Sequence, residues 1–122
     1  MLIENNFYTI ESFSNEEGIA NATITVNASH KIFEGHFPGS PVVPGVCMTQ
    51  IVKELLEKAL AKETRLSKAD NLKFLSIITP VENNIANVEV KYKITEDVVE
   101  VNATISTSVA TNFKMKAQFI LS

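Results

Sequence analysis

Apolar and polar residues alternate along much of this chain, which predicts a protein rich in β-strands. The clearest alternation runs from Asn21 to Ala28, where alanine, isoleucine and valine at even positions are separated by asparagine or threonine. A period of two is typical of a strand with one buried face. Phe7–Ser12 predicts a shorter strand before it.

Residues 71–121 contain four further strand patterns. Asn71–Thr79 predicts a strand that ends at Pro80. The next two strands are joined by a turn around Thr95-Glu96-Asp97, and one more strand follows them. The apolar positions of the last three strands are Val88, Val90, Tyr92 and Ile94, then Val99, Val101, Ala103 and Ile105, and finally Phe113, Met115, Ala117, Phe119 and Leu121.

One segment, Cys47–Glu63, has the period of an α-helix instead. Its apolar positions recur at intervals of three and four residues, which predicts a helix with one broad side packed against a sheet. These positions are Cys47, Met48, Ile51, Val52, Leu55, Leu56 and Ala59. One long helix followed by four strands indicates an α+β domain with an antiparallel sheet around a central helix. Periodicity alone allows several such arrangements.

Composition and charge narrow the class of protein. A length of 122 residues predicts one domain, residues 1–122, and the apolar (45%) and charged (20%) fractions are those of an ordinary globular protein. The net charge of −3 argues against a nucleic-acid partner. We expect no membrane span and a cytoplasmic protein, because the chain lacks a run of about eighteen apolar residues and a signal-peptide pattern.

Candidate chemistry concentrates in the loop before the helix. His36 is followed by three prolines and two glycines between Pro38 and Gly45, which restrict the backbone between a titratable imidazole and the helix start. The first N–H groups of a helix form its positive end. Gly45 and Val46 would therefore hold a carbonyl oxygen that develops negative charge, with His36 as a base beside it.

Gly35–Val46 resembles the signature of the hotdog-fold 3-hydroxyacyl-(acyl carrier protein) dehydratases. That signature is a Gly-His-Phe-Pro-Gly run, then Pro-x-x-Pro-Gly-Val, then a long central helix. The resemblance implies a hotdog fold and a reaction that removes water from a 3-hydroxyacyl thioester to give the trans-2-enoyl thioester. It also implies that Phe37 and Pro44 join Gly45 and Val46 in binding the substrate.

The same resemblance implies the partners. The substrate is held on the phosphopantetheine arm of an acyl carrier protein, in fatty acid or polyketide-type biosynthesis. Each site is shared between two hotdog subunits, in a homodimer or in a heterodimer with a related chain. Hotdog dimers commonly join their sheets edge to edge, which removes an exposed edge strand. Neither a cofactor nor a metal is implied, because the reaction transfers protons only.

Gln50 departs from the family pattern. At this position, fourteen residues after His36, the resemblance implies a carboxylate that serves the site of the partner chain, and this chain has a neutral amide. An amide cannot supply a proton to the leaving hydroxyl, although it can hydrogen-bond to that group. The substitution therefore affects the expected chemistry more than the expected fold.

Glu54 lies one helical turn after Gln50 and on the same face of the helix. Many family members carry Glu and then Gln at these two positions, so the pair is exchanged here. One hypothesis is that Glu54 lends a proton, directly or through water or Gln50. The alternative is that Glu54 faces solvent with Lys53, Glu57 and Lys58 on the polar side of the helix.

Three further features allow two interpretations each. Lysines predicted on the outer face of the sheet either guide an acidic carrier protein or keep that face soluble. Apolar residues near the strand end at Pro80 either line an acyl tunnel or belong to the core. The single cysteine is either a nucleophile at the helix start or a small buried hydrophobe. The residues are Lys91, Lys93, Lys114 and Lys116, then Phe74, Leu75 and Ile77, and finally Cys47.

Two functional classes follow from these features. The first is a hydro-lyase in which His36 is the base and Gln50 or Glu54 assists the hydroxyl. The second is a non-catalytic or heterodimer-dependent subunit that binds carrier-protein thioesters while a homologue supplies the missing carboxylate. A thioesterase matches less well, because the loop rich in proline and glycine is that of the dehydratases.

Overall fold

The computed structural model describes residues 2–34, 42–81 and 83–122. Their secondary structure is one long helix, one short 3₁₀ helix and six strands. In chain order these are β1 (Tyr8–Glu16), β2 (Ile19–Val26), the 3₁₀ helix (Lys31–Phe33), α1 (Gly45–Leu60), β3 (Thr64–Phe74), β4 (Ile85–Thr95), β5 (Val98–Ser106) and β6 (Thr111–Leu121). The strands form one antiparallel sheet with the spatial order β1-β2-β4-β5-β6-β3.

The core lies between one face of this sheet and the apolar side of α1. Strands β2, β4, β5 and β6 alternate buried and exposed residues, because each has one face on the core and the other in solvent. The predicted α+β layout is therefore confirmed. The helix contributes the buried residues Cys47, Met48, Ile51, Val52, Glu54, Leu55 and Leu56.

The helix starts and ends earlier than the predicted range, Cys47–Glu63. It begins at Gly45, directly after Pro44, which has an extended backbone and serves as the N-cap. It ends at Leu60, because Ala61 adopts the left-handed conformation (φ 53°) that terminates helices. Glu57 then accepts hydrogen bonds from the backbone N–H (2.6 Å) and the hydroxyl (3.2 Å) of Thr64, where β3 starts.

The strand predicted at Asn71–Thr79 is wrong in its extent. The structure places β3 at Thr64–Phe74, and only Thr64 of this strand is buried. An edge strand with two irregularities in its register, at Leu66/Lys68 and Ala69/Asn71, shows no simple alternation that a sequence pattern would reveal. The apolar run after Phe74 misplaced the prediction, because it forms a connection without strand structure.

The remaining predictions agree with the structure more closely. The turn around Thr95-Glu96-Asp97 is confirmed, with Glu96 in the left-handed region (φ 59°). The strand predicted at Phe7–Ser12 continues to Glu16, because it pairs with β2 as far as the turn at Gly18. No helix within the described ranges is long and apolar enough to cross a membrane.

Candidate active site

The start of α1 is formed by the residues that follow the predicted His36 loop. The carbonyl of Pro44 accepts hydrogen bonds from the N–H groups of Cys47 (3.0 Å) and Met48 (3.3 Å). The side chain of Pro44 makes no capping hydrogen bond, and the described first turn contains no acidic residue. The first N–H groups, at Gly45 and Val46, belong to the positive end of the helix. Their contact with a substrate carbonyl stays a prediction.

Gly45 is in direct contact with the end of β3. A Cβ atom at Gly45 would lie 2.7 and 2.9 Å from two ring atoms of Phe74, so only glycine fits without displacement of that ring. The Phe74 ring also packs on Phe113 of β6, with 5.1 Å between the ring centroids. Phe74 and Val46 nevertheless remain 54% and 67% exposed. The helix start is therefore flanked by accessible apolar surface.

Asn112 holds the connection after β3 in place. Its amide nitrogen donates to the hydroxyl of Ser76 (2.9 Å) and to the carbonyl of Ile77 (3.1 Å). Its amide oxygen accepts from the N–H of Thr107 (3.0 Å). The next residue in the connection, Ile78, accepts from the N–H of Val43 (2.9 Å). Asn112, which is only 2% exposed, thereby supports the residues that lead into α1.

Glu54 is the centre of a second cluster, on the side of α1. Its carboxylate accepts hydrogen bonds from the N–H groups of Ile3 (2.8 Å) and Glu4 (2.9 Å), the hydroxyl of Tyr8 (3.0 Å) and the side-chain amide of Gln50 (2.8 Å). Every one of these partners is a donor, so both oxygens serve as acceptors. The carboxylate therefore ties the segment before β1 to the helix and orients the Gln50 amide.

The solvent-facing alternative for Glu54 is wrong. Glu54 is 5% exposed, and Ile3, Glu4 and Tyr8 contact its carboxylate. Lys53, Glu57 and Lys58 do lie on the accessible side of the helix, as predicted, and Lys53 approaches Glu57 at 4.0 Å. Whether Glu54 or Gln50 takes part in proton transfer stays a prediction.

Burial raises the pKa of two weakly acidic groups near the helix. The pKa of Tyr8 lies well above its ordinary value, first because the phenol is buried and then because the Glu54 carboxylate is next to it. Burial also raises the pKa of the Cys47 thiol. A thiol of this kind is a poor nucleophile, which favours the interpretation of Cys47 as a small buried hydrophobe.

A groove of about 620 Å³ runs beside α1, where Gln50 lies. Charged residues form much of its wall, including Lys53, Glu57 and Lys58. An acyl chain gains little from such a surface, because the charged groups would lose their hydration. Four accessible apolar residues lie instead near the helix start: Val46, Phe74, Leu75 and Ile77.

The predicted site residues fall into two groups. The structure places Pro44, Gly45 and Val46 at the helix start, and Gln50 joins Glu54 in the second cluster. His36 and Phe37 lie outside the described residues, so their roles stay predictions.

Tyr8 and Asn112 were not singled out from the sequence. Nothing in the local pattern marks either residue, because their hydrogen-bond partners lie 46 and 36 positions away.

Sequence comparisons identify a family that includes most of the chain. The family model for ApeI-like proteins, described as ApeI dehydratase, matches residues 12–114. The 3-hydroxyacyl-[acyl-carrier-protein] dehydratase FabZ of Oenococcus oeni is 31% identical over 86 residues, which are 65% of this chain and 60% of the relative. The FabZ dehydratase of Enterococcus faecalis is 33% identical over 86 residues, which again are 65% of this chain and 60% of the relative. The chain thus spans about three fifths of the length of these relatives.

Solved structures with the same architecture include a dehydratase heterocomplex and a hypothetical thioesterase. The dehydratase heterocomplex ApeI:P from Xenorhabdus doucetiae has a TM-score of 0.77 at 18% identity and covers 92% of this chain and 96% of that one. A hypothetical thioesterase with coenzyme A from Streptococcus pneumoniae has a TM-score of 0.70 at 10% identity. The match covers 94% of this chain and 85% of that one. At these identities the likeness shows the fold, and the predicted hotdog fold is confirmed.

Proposed function

This chain belongs to the ApeI-like dehydratase family, and on that premise we propose that it binds 3-hydroxyacyl thioesters of an acyl carrier protein and removes water from them. The product is the trans-2-enoyl thioester. The observation that supports this most directly is the helix start, where donors at Gly45 and Val46 lie beside accessible apolar surface. That combination suits a thioester carbonyl attached to an acyl chain.

In the proposed reaction, His36 removes a proton from the carbon next to the thioester carbonyl. The electron pair forms the new carbon–carbon double bond, and the hydroxyl leaves from the adjacent carbon as water after it gains a proton. Gly45 and Val46 hold the carbonyl oxygen while negative charge develops on it. Phe37 and Pro44 contact the substrate beside them.

Gln50 binds the leaving hydroxyl in this proposal without protonating it. Its amide nitrogen donates to Glu54, which orients the amide plane. General acid catalysis contributes about 10²–10⁴ in rate, so a site with Gln50 turns over slowly unless another group supplies the proton. The hypothesis that Glu54 supplies it, directly or through water or Gln50, requires a protonated Glu54, whereas all four hydrogen-bond partners of its carboxylate in the structure are donors.

A heterodimer is the second candidate, and the Gln50–Glu54 contact favours it. The carboxylate of this cluster already accepts four hydrogen bonds, three of them from residues before and at the start of β1. A related chain that carries a carboxylate at the position of Gln50 would complete the site with His36 of this chain. The neighbour from Xenorhabdus doucetiae is itself described as a heterocomplex.

The edge strand β3 is the proposed dimer contact in either case. It is an edge of the sheet, and it exposes the apolar side chains of Leu66, Leu72 and Phe74. Pairing with a second hotdog chain would satisfy its free backbone groups and cover these side chains.

Turnover of a 3-hydroxyacyl carrier protein, followed by mass spectrometry, tests the proposal. The purified chain should form the enoyl thioester slowly, and His36→Ala should abolish this. Turnover that survives in His36→Ala would contradict the role of the histidine. If the wild-type chain is inactive and Gln50→Glu is active, a homologue must supply the acid, and the heterodimer is favoured.

A further inference from the structure

Three lysines on the outer face of β6 and β3 have no acidic partner among the residues that the structure describes. Lys73 lies directly opposite Lys114 in the register of the two strands, and Lys116 lies two residues further along on the same face. No ion pair within the described parts of the chain joins any of the three to a carboxylate. We call these residues the lysine cluster.

Other lysines of the same face each have a carboxylate beside them. Glu89, Asp70 and Glu100 therefore lie next to lysines outside the cluster. The pairs are Lys91 with Glu89 at 3.8 Å, Lys68 with Asp70 at 3.3 Å, and Lys93 opposite Glu100 in the register.

The lysine cluster is unfavourable for folding by itself. Like charges directly opposite each other on neighbouring strands destabilise a sheet. A depression of about 270 Å³ lies among the three lysines, and its floor includes the polar side chains of Asn71, Asn102 and Thr104. A concentration of positive charge on a chain with a net charge of −3 indicates binding of an anionic partner.

The position of the cluster connects it with the candidate active site. Lys73 immediately precedes Phe74, whose ring packs on Gly45 at the helix start. Lys114 follows Phe113, which contacts the same ring. The cluster therefore lies on the outside of the strand ends whose inner side flanks the helix start.

We propose that Lys73, Lys114 and Lys116 form the docking surface for the acidic carrier protein that delivers the thioester. This inference rests on the proposed function. Opposite charge on the two surfaces would steer the encounter and orient the carrier near the helix start. A docking role also explains why Lys73 and Lys114 lie opposite each other, an arrangement that destabilises the sheet.

Lys114→Glu separates docking from folding, because it should stabilise the fold and weaken binding of the carrier protein. The substitution replaces the like-charge pair with Lys73 by an opposite-charge pair, so Tm should rise by about 1–4 °C. The same substitution should weaken binding of the carrier protein about tenfold. Lys62→Glu is the matched control, since it makes the same charge change at an exposed position after α1 and should leave affinity within about twofold.

Binding is measured directly by calorimetry with the pantetheine-loaded carrier protein, so the result does not depend on turnover. Weaker binding only in Lys114→Glu supports the docking surface even if no dehydration is detected, and the proposed reaction then fails on its own. The docking surface would be overturned if wild type and Lys114→Glu bind the carrier protein equally well. Equal losses of affinity in Lys114→Glu and Lys62→Glu would overturn it too. So would an unchanged carrier affinity combined with Lys114-dependent binding to phosphatidylglycerol vesicles.

Discussion

The side-chain amide of Gln50 donates a hydrogen bond of 2.8 Å to the carboxylate of Glu54, one helical turn further along α1. The same carboxylate accepts hydrogen bonds from Ile3, Glu4 and Tyr8. The carboxylate of Glu54 is therefore engaged in holding the segment before β1, while a neutral amide occupies the position expected to carry the acid.

Glu54→Gln should destabilise the fold by about 2–3 kcal/mol. The new amide nitrogen would face donors that now bind a carboxylate oxygen, so at least one buried N–H or hydroxyl loses its acceptor. Urea unfolding measures the change. Glu63→Gln, at an exposed position, should stay within about 0.5 kcal/mol of wild type. Equal midpoints for Glu54→Gln and Glu63→Gln would show that the cluster contributes nothing to stability.

Gln50→Glu should increase dehydration of a 3-hydroxyacyl carrier protein by about 10²–10⁴. It places a second carboxylate in contact with Glu54, and repulsion between the two favours retention of a proton by one of them. The exchange Gln50→Glu with Glu54→Gln restores the order common in the family and separates the two effects. Activity in the single variant alone would show that the pair of carboxylates is required. Inactivity of both variants would argue against a complete site within this chain.

The contribution of Tyr8 to stability should disappear in alkali. The folded state raises the pKa of Tyr8 above its ordinary value of 10, through burial first and Glu54 second. The folded chain therefore keeps a proton that the unfolded chain loses, so the contribution is complete below pH 10 and decreases as the pH rises further. Tyr8→Phe should cost about 1–2 kcal/mol near neutrality. Denaturant unfolding should show this difference shrinking above pH 10, and a constant difference up to pH 11 would contradict the assignment.

Cys47 should react slowly with thiol reagents in the folded protein. Its side chain is buried, and burial raises the pKa of the thiol, so little thiolate is present near neutrality. A disulfide reagent at pH 8 should label the native chain about 100-fold more slowly than the chain in urea. Equal rates in the two conditions would restore the interpretation of Cys47 as a reactive group.

Asn112→Ala should destabilise the fold by about 2–4 kcal/mol. It removes donors to Ser76 and Ile77 and the acceptor for the N–H of Thr107 in a buried place. Asn102→Ala, an exposed asparagine on the neighbouring strand, serves as the control and should change stability by less than about 0.5 kcal/mol. Thermal unfolding of both variants makes the comparison, and similar losses would show that burial of Asn112 is not the cause.

The sequence by itself determined the fold class, four of the strands to within a few residues, the helix and the family. Alternation in residues 21–28 and in the hairpin around Thr95-Glu96-Asp97 is a local signal, because every second side chain of a strand meets the core. The Gly35–Val46 signature is local as well. It located the helix start to within two residues, at Cys47 against the observed Gly45, and it identified the exchanged pair Gln50 and Glu54 without any structure.

Only the tertiary structure decided where β3 runs, that Glu54 is buried, and that Lys73 opposes Lys114. The burial of Glu54 depends on Ile3, 51 positions away, and the role of Asn112 depends on Ser76, 36 positions away. The edge strand β3 carries almost no buried residues, so its sequence lacks the alternation that marks the other strands. These features arise from contacts between distant segments, and such contacts exist only once the sheet has brought those segments together.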